Sequence, residues 1–193
     1  MLSLIEIKNG KVIKSDPRAH LLVQKEEIEI LKLLPKAERL SVASGTTCED
    51  ELGCFPLDAF YHPIYRPFNL IPFDRKRINT TYSLYTRANP KERQILKAHD
   101  SVALRKSYFN ANKDTKIIIH GFLEHWILNP IWIQHMRDEF LIHGDYNIIV
   151  VDWKGGNNFP YSQAVSNTRI VGAEVALFIH FLMVITKFSY ASN

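Results

Sequence analysis

The chain has 193 residues, 46% of them hydrophobic and 11% aromatic, enough to bury a sizeable core; this excludes disorder over most of its length and points to one globular domain or part of a larger one. Its 24 basic and 20 acidic residues leave a formal charge of +4. The basic residues are scattered apart from the run Arg75-Lys76-Arg77, so the charge points to no nucleic-acid partner.

Residues 1–46 have few aromatics, and the first eighteen include Glu6, Lys8, Lys11, Lys14 and Asp16, so no signal peptide is visible there. Lys25-Glu26-Glu27 leads into Ile28, Leu31 and Leu34, the spacing of a short amphipathic helix that stops near Pro35 and carries no chemistry. Residues 41–47 are small and read as a linker. The chain thus divides into an N-terminal extension of unknown role, 1–46, and a body, 47–193.

Residues 48–72 are rich in proline and aromatics and are expected to be mostly irregular. The β-branched and aromatic residues of 78–86 predict a strand, ended by Ala88-Asn89-Pro90. Two continuous apolar runs follow, 116–119 and 147–151, and between them Trp132, Met136 and Phe140 recur at helical spacing over 131–143. Apolar strands separated by a helix indicate parallel pairing buried on both faces, and hence an α/β fold. Ser166 or Asn167 is then expected to cap a long helix through Val171, Val175, Phe178 and Leu182 to about Lys187. Its most apolar stretch, 175–185, is interrupted by His180 and falls short of the ~20 residues that span a bilayer, so no transmembrane segment is expected.

Three features bear on chemistry. Cys48 and Cys54 close a short loop, which reads as two buried or free thiols, as a local disulfide in an oxidising compartment, or more weakly as half of a zinc site. Loops at the carboxyl ends of strands form the site of an α/β fold, and His120-Gly121-Phe122 is such a loop. Gly121 permits a tight turn that leaves the Phe122 amide open to a ligand, as an oxyanion donor requires; an ordinary strand-end turn is the competing reading. A metal site drawing on His120, His125 and Cys48 has little behind it, because the two histidines straddle a turn instead of sharing a helix face. No metal and no cofactor are expected.

Seven segments in order resemble the secreted neutral lipases of the pancreatic type and their related proteins. They are Cys48-Glu49-Asp50-Glu51-Leu52-Gly53-Cys54-Phe55; Arg66-Pro67; Leu70-Ile71-Pro72; Ile78-Asn79-Thr80 with Leu84-Tyr85-Thr86 before Asn89-Pro90; Ile118-Ile119-His120-Gly121-Phe122; Val151-Asp152-Trp153-Lys154-Gly155; and Tyr161-Ser162-Gln163-Ala164 with Asn167, Arg169 and Val171-Gly172-Ala173. The resemblance covers roughly residues 48–193. It implies an α/β-hydrolase fold, an extracellular carboxylic ester hydrolase acting on triacylglycerol or phospholipid, and a Cys48–Cys54 disulfide. It also implies an oxyanion-hole role for the Phe122 N–H and a structural role for Asp152. Tyr161 and Trp132 match aromatic positions at or near the family's substrate site, although Trp132 reads equally well as a core residue on a helix face.

The nucleophile of that family sits in a G-x-S-x-G elbow followed by an Asp and then a His. No serine here has glycine at both flanking positions, and the segment 188–193 resembles the loop that precedes the elbow strand. The chain is therefore expected to be a partial α/β-hydrolase truncated before that strand, without the triad, the second oxyanion donor or the β-sandwich that meets colipase, and inactive alone. Its full-length relative would act on a lipid ester. The alternative is a non-catalytic binding or regulatory protein built on half a lipase domain, motivated by residues 1–46. The neighbour of the missing strand is expected to present an unpaired apolar edge. Asn79-Thr80-Thr81 is a glycosylation acceptor pattern, but with Asn79 expected to open a strand, occupancy is disfavoured.

Overall fold

The computed structural model describes residues 3–8, 11–13, 46–57, 70–124 and 131–191. The expected helix at Ile28–Leu34, most of the 41–47 linker, Arg66-Pro67 and His125 lie outside them. Ten strands and helices of the described residues are arranged around one mixed sheet, two of the strands coming from residues 1–46, and two further strands form a separate hairpin. In chain order they are β1 (Ser3–Lys8), β2 (Lys11–Ile13), β3 (Thr46–Glu49), β4 (Gly53–Pro56), the helical turn α1 (Arg75–Ile78), β5 (Thr81–Tyr85), β6 (Gln94–Leu96), α2 (Ser101–Lys106), β7 (Thr115–Ile119), α3 (Ile131–His143), β8 (Asn147–Asp152) and α4 (Tyr161–Ala191). The six-stranded sheet has the order β2-β1-β7-β8-β5-β6, and β3-β4 form the hairpin.

The two isoleucine- and valine-rich runs are neighbours and parallel, with Ile117 opposite Ile149 and Ile119 opposite Val151. Alternation of side chains sorts them onto two faces. Ile117, Ile149 and Val151 pack with Ile170, Val171, Val175, Phe178 and Leu182 of α4, whereas Ile118 and Ile148 pack with Ile133 and Leu141 of α3. A helix on each face explains why these strands carry isoleucine and valine on both faces. Among the described residues one helix, Tyr161–Ile185, is long and apolar enough to cross a membrane by length and composition. Here its apolar stripe lies on the sheet, each fully buried Phe or Ile contributing about 1.5–3 kcal/mol.

Four expectations are corrected. The long helix begins at Tyr161, not at Ser166 or Asn167; Asn167 is used inside it, accepting the Phe73 N–H at 2.8 Å and donating to the Gly156 carbonyl at 2.9 Å. Asn79 opens no strand. It ends α1 in the left-handed region, φ 52°, exposed to solvent, with β5 starting two residues later, because the Asp74 carboxylate caps the Arg77 N–H at 2.8 Å and stabilises one helical turn ahead of the strand. Of the segment 48–72, expected to be mostly irregular, residues 48–56 instead lie in an ordered hairpin with Thr46 and Thr47, and residues 58–69 lie outside those described. Finally, the edge of β7 away from β8 is not unpaired: β1 lies on it, antiparallel, from Ser3 opposite Ile119 to Ile7 opposite Thr115.

Cys48 and Cys54 are register partners in the β3–β4 hairpin, their Cα atoms 4.0 Å apart, and they form a disulfide. A loop this short contributes about 2 kcal/mol through the unfolded chain. Reduction, or Cys48→Ser with Cys54→Ser, is expected to lower the urea midpoint accordingly; unchanged midpoints in oxidised and reduced protein would contradict it. The hairpin is tied to the body by Arg75, whose guanidinium meets Glu51 at 3.1 Å and Glu174 at 3.0 Å. The Arg75 hydrogen bond holds the Glu51 carboxyl below the usual range.

Candidate functional site

Because β7 and β8 are parallel, their carboxyl ends deliver two loops to the same edge of the sheet, 120–124 and 153–160. His120, the first residue after β7, is buried. Its Nε2 accepts the Trp153 N–H at 3.0 Å, its carbonyl accepts the Trp153 indole N–H at 2.8 Å, and the two rings stack with centroids 5.6 Å apart. The Nδ1 lies 3.1 Å from the Gly121 carbonyl. Both loops are thus locked to one another through a single histidine.

Asn157 completes the lock. Its side-chain amide donates to the carbonyls of Gly121 at 3.1 Å and Glu124 at 3.2 Å, and its backbone carbonyl accepts the Leu123 N–H at 3.0 Å. Leu123 sits in the left-handed region, φ 57°, a conformation costly for a leucine and held by these bonds. The Gly121 N–H donates to the Glu124 carboxylate at 2.6 Å. Within this turn the N–H groups of Gly121 and Leu123 are both engaged, and the Phe122 N–H between them has no acceptor among the described residues.

Around that amide lies an aromatic lip. The Phe122 ring meets Tyr161 edge-to-face at 4.9 Å and Phe159 at 5.2 Å, and Phe159 is 58% exposed. Phe122 and Tyr161 are therefore brought together, on the α4 side of the sheet. Trp132 is not with them: it packs with Ile118, Ile133, Leu141 and Ile148 on the α3 side. Asn79 lies at the end of α1, and Cys48 and Cys54 in the hairpin.

Asp152, the last residue of β8, accepts the Lys154 N–H at 3.0 Å and lies 3.3 Å from His120 Nε2. The Nε2 lone pair serves the Trp153 amide in the tautomer protonated at Nδ1; a proton on Nε2 would serve the carboxylate instead. Burial pushes the Asp152 carboxyl up, but its contacts with His120 and with the amide and charge of Lys154 outweigh it and hold the group below its ordinary range. With the folded value depressed, this stabilisation is complete above about pH 4 and is lost as pH falls through the folded value. Asp152→Asn is expected to flatten the acid limb of stability between about pH 5 and 2; parallel urea midpoints for variant and wild type across that window would contradict it.

The sequence singles out the turn at Phe122 but not the roles of Trp153 and Asn157, which hold it. Trp153 had a signal, since it stands inside the Val151–Gly155 segment; Asn157 had none, because its partners are 33 to 36 residues distant. Among the described residues no group of His, Cys, Asp and Glu is arranged to hold a metal ion. A metal site using Cys48 is ruled out by its bond to Cys54.

Residues 45–192 match the family model described as Lipase. The chain belongs to the pancreatic-type lipase family. It is 41% identical over 143 residues to the pancreatic triacylglycerol lipase of Mus musculus, covering 74% of this chain and 30% of that relative, and 40% identical over 154 residues to that of Homo sapiens, covering 79% and 32%. It is also 36% identical over 156 residues to inactive pancreatic lipase-related protein 1 of Mus musculus, 80% of this chain and 32% of that protein. The chain thus spans about a third of the length of the curated relatives it matches. Membership of the lipase family brings the α/β-hydrolase fold class, with which the mixed sheet flanked by helices agrees.

Proposed function

We propose that residues 47–193 are the N-terminal part of a lipase catalytic domain, and that they supply the Phe122 N–H as one donor for the oxyanion formed when a lipid ester is attacked. The observation that supports this reading is the Phe122 amide, without an acceptor among the described residues and held between two engaged neighbours beside an apolar lip. Acyl transfer places negative charge on the former carbonyl oxygen, and a fixed backbone N–H stabilises it without reorganisation. Phe122, Phe159 and Tyr161 suit the apolar part of such an ester, and Trp132 is assigned to packing. The nucleophile, acid and base are assigned to polypeptide outside these residues, as is any contact with colipase, so residues 1–193 alone are inactive. The names of the relatives point to triacylglycerol as substrate. An extracellular location agrees with the Cys48–Cys54 disulfide, and glycosylation at Asn79 agrees with its exposure at the end of α1.

The reading frame following the Asn193 codon tests this directly. A G-x-S-x-G segment flanked by strand and helix patterns is the expected result, and its absence from that frame would overturn the proposal. The alternative, a non-catalytic binding protein, finds a relative in inactive pancreatic lipase-related protein 1. It would need residues 1–46 as a contact segment, yet Ser3–Lys8 already pairs within the sheet.

A further inference from the structure

The N-terminal hairpin occupies a particular slot. β7 and β8 are parallel and joined through α3 on one face, and α4 leaves β8 on the other face. Crossover connections are right-handed, and moving the helix to the opposite face reverses the direction in which the chain winds along the sheet. A parallel strand continuing from α4 therefore belongs beside β7, on the edge away from β8. That edge is filled, in the antiparallel sense, by β1.

The fit of β1 is specific in three respects. Ile5 and Ile7 fall on the α4 side and join its core, while Leu4 falls on the α3 side and joins that one. Each is paired with a β7 residue facing the same way: Ile5 with Ile117, Ile7 with Thr115 and Leu4 with Ile118. Lys116 is a cation with only 9% of its side chain exposed, and its carboxylate partner is Glu6, its register partner on β1. A buried cation without its counter-ion is strongly destabilising, so β7 carries a residue that makes sense with β1 in place.

We propose that Ser3–Lys8 is a strand plug: the outer edge of β7 is a strand-docking site, and the chain's own N-terminal segment holds it against a parallel strand that would complete the half-site at Phe122. The identity of that second occupant rests on the function proposed above. β7 has one edge to offer once β8 has taken the other, so the two occupants exclude each other, and completion of the site requires β1 to leave.

Hydrogen exchange on the full chain, read at β7, tests the plug. E6K sets two cations opposite each other and is expected to speed exchange over 115–119 by about tenfold or more, while the helical amides of α3 stay protected. The charge swap E6K/K116E is expected to restore protection. Unchanged β7 exchange in E6K overturns the proposal, as does a swap that fails to rescue. The exclusion is read with a fragment of human pancreatic triacylglycerol lipase that begins where its match to this chain ends. Capture by E6K and not by wild type is the expected result; equal capture by both, or by neither, overturns it. Ester hydrolysis by residues 1–193 would overturn the functional reading alone, since the exchange data would still report on the plug.

Discussion

Purified residues 1–193 are expected to hydrolyse neither a triacylglycerol emulsion nor a soluble short-chain ester above a heat-inactivated control. An enzyme of ordinary proficiency lowers its barrier by at least about 8 kcal/mol. A single oxyanion donor is worth about 3–4 kcal/mol, and only where the rest of the site is intact. The side chains near Phe122 do not make up the difference. Ser162 and Ser166 are buried, at 7% and 1% exposure, and neither stands in a strained turn flanked by glycines. Among the described residues His120 is the histidine at the site, but its Nε2 is engaged by the Trp153 amide and its ring is stacked on the indole. It holds two loops together, and among the described residues no serine, threonine or cysteine is hydrogen-bonded to it for it to activate. Turnover of p-nitrophenyl butyrate that survives purification to homogeneity and disappears on heating would refute this.

The largest loss of stability from one substitution is expected at Phe178. It is fully buried at the centre of the α4 face, and its ring stacks on Tyr82 with centroids 3.9 Å apart and planes 10° from parallel. Phe178→Ala removes the ring from a site walled by strands, which cannot collapse to fill the void, and is expected to cost about 3–5 kcal/mol. For a domain stable by roughly 5–15 kcal/mol this is a large share of the total. Tyr82→Phe is the matched control. The Tyr82 hydroxyl is buried without a partner among the described residues, and burial pushes its ionisation far above the ordinary range. Deleting it removes an unsatisfied donor and keeps the ring, so stability is expected to be unchanged or to rise by about 1 kcal/mol. Urea midpoints at constant slope measure both. A loss below about 1 kcal/mol at Phe178, or a loss above it at Tyr82, would contradict this account.

Where the sequence was legible, short-range pattern governed the outcome. The runs of isoleucine and valine at 116–119 and 147–151 demanded burial on both faces, and the helix over 131–143 declared its period, so their parallel pairing followed. The turn after β7 was legible because a strand followed at once by His-Gly has few ways to turn. The start of α4 was misplaced because Ser166 and Asn167 carry cap-forming side chains, and only the packed structure reveals that Asn167 is used at long range, by Phe73 and Gly156. Asn79 was misread for a related reason: one helical turn held by Asp74 leaves almost no periodic signal before a strand.

What the sequence determined by itself was composition of the core, the order of the central elements, the cysteine pair and the family, each carried by neighbouring residues or by segments in register. Only the tertiary structure decided which groups hold the Phe122 turn, since Asn157 and Trp153 reach it across more than thirty residues. It alone separated Trp132 from Phe122 and Tyr161, because helix periodicity states that a face is buried but not which face of the sheet it covers. The same holds for Ser3–Lys8, a short charged and apolar segment that acquires meaning only opposite β7, where hydrogen bonding, side-chain parity and the Glu6–Lys116 pair select one register.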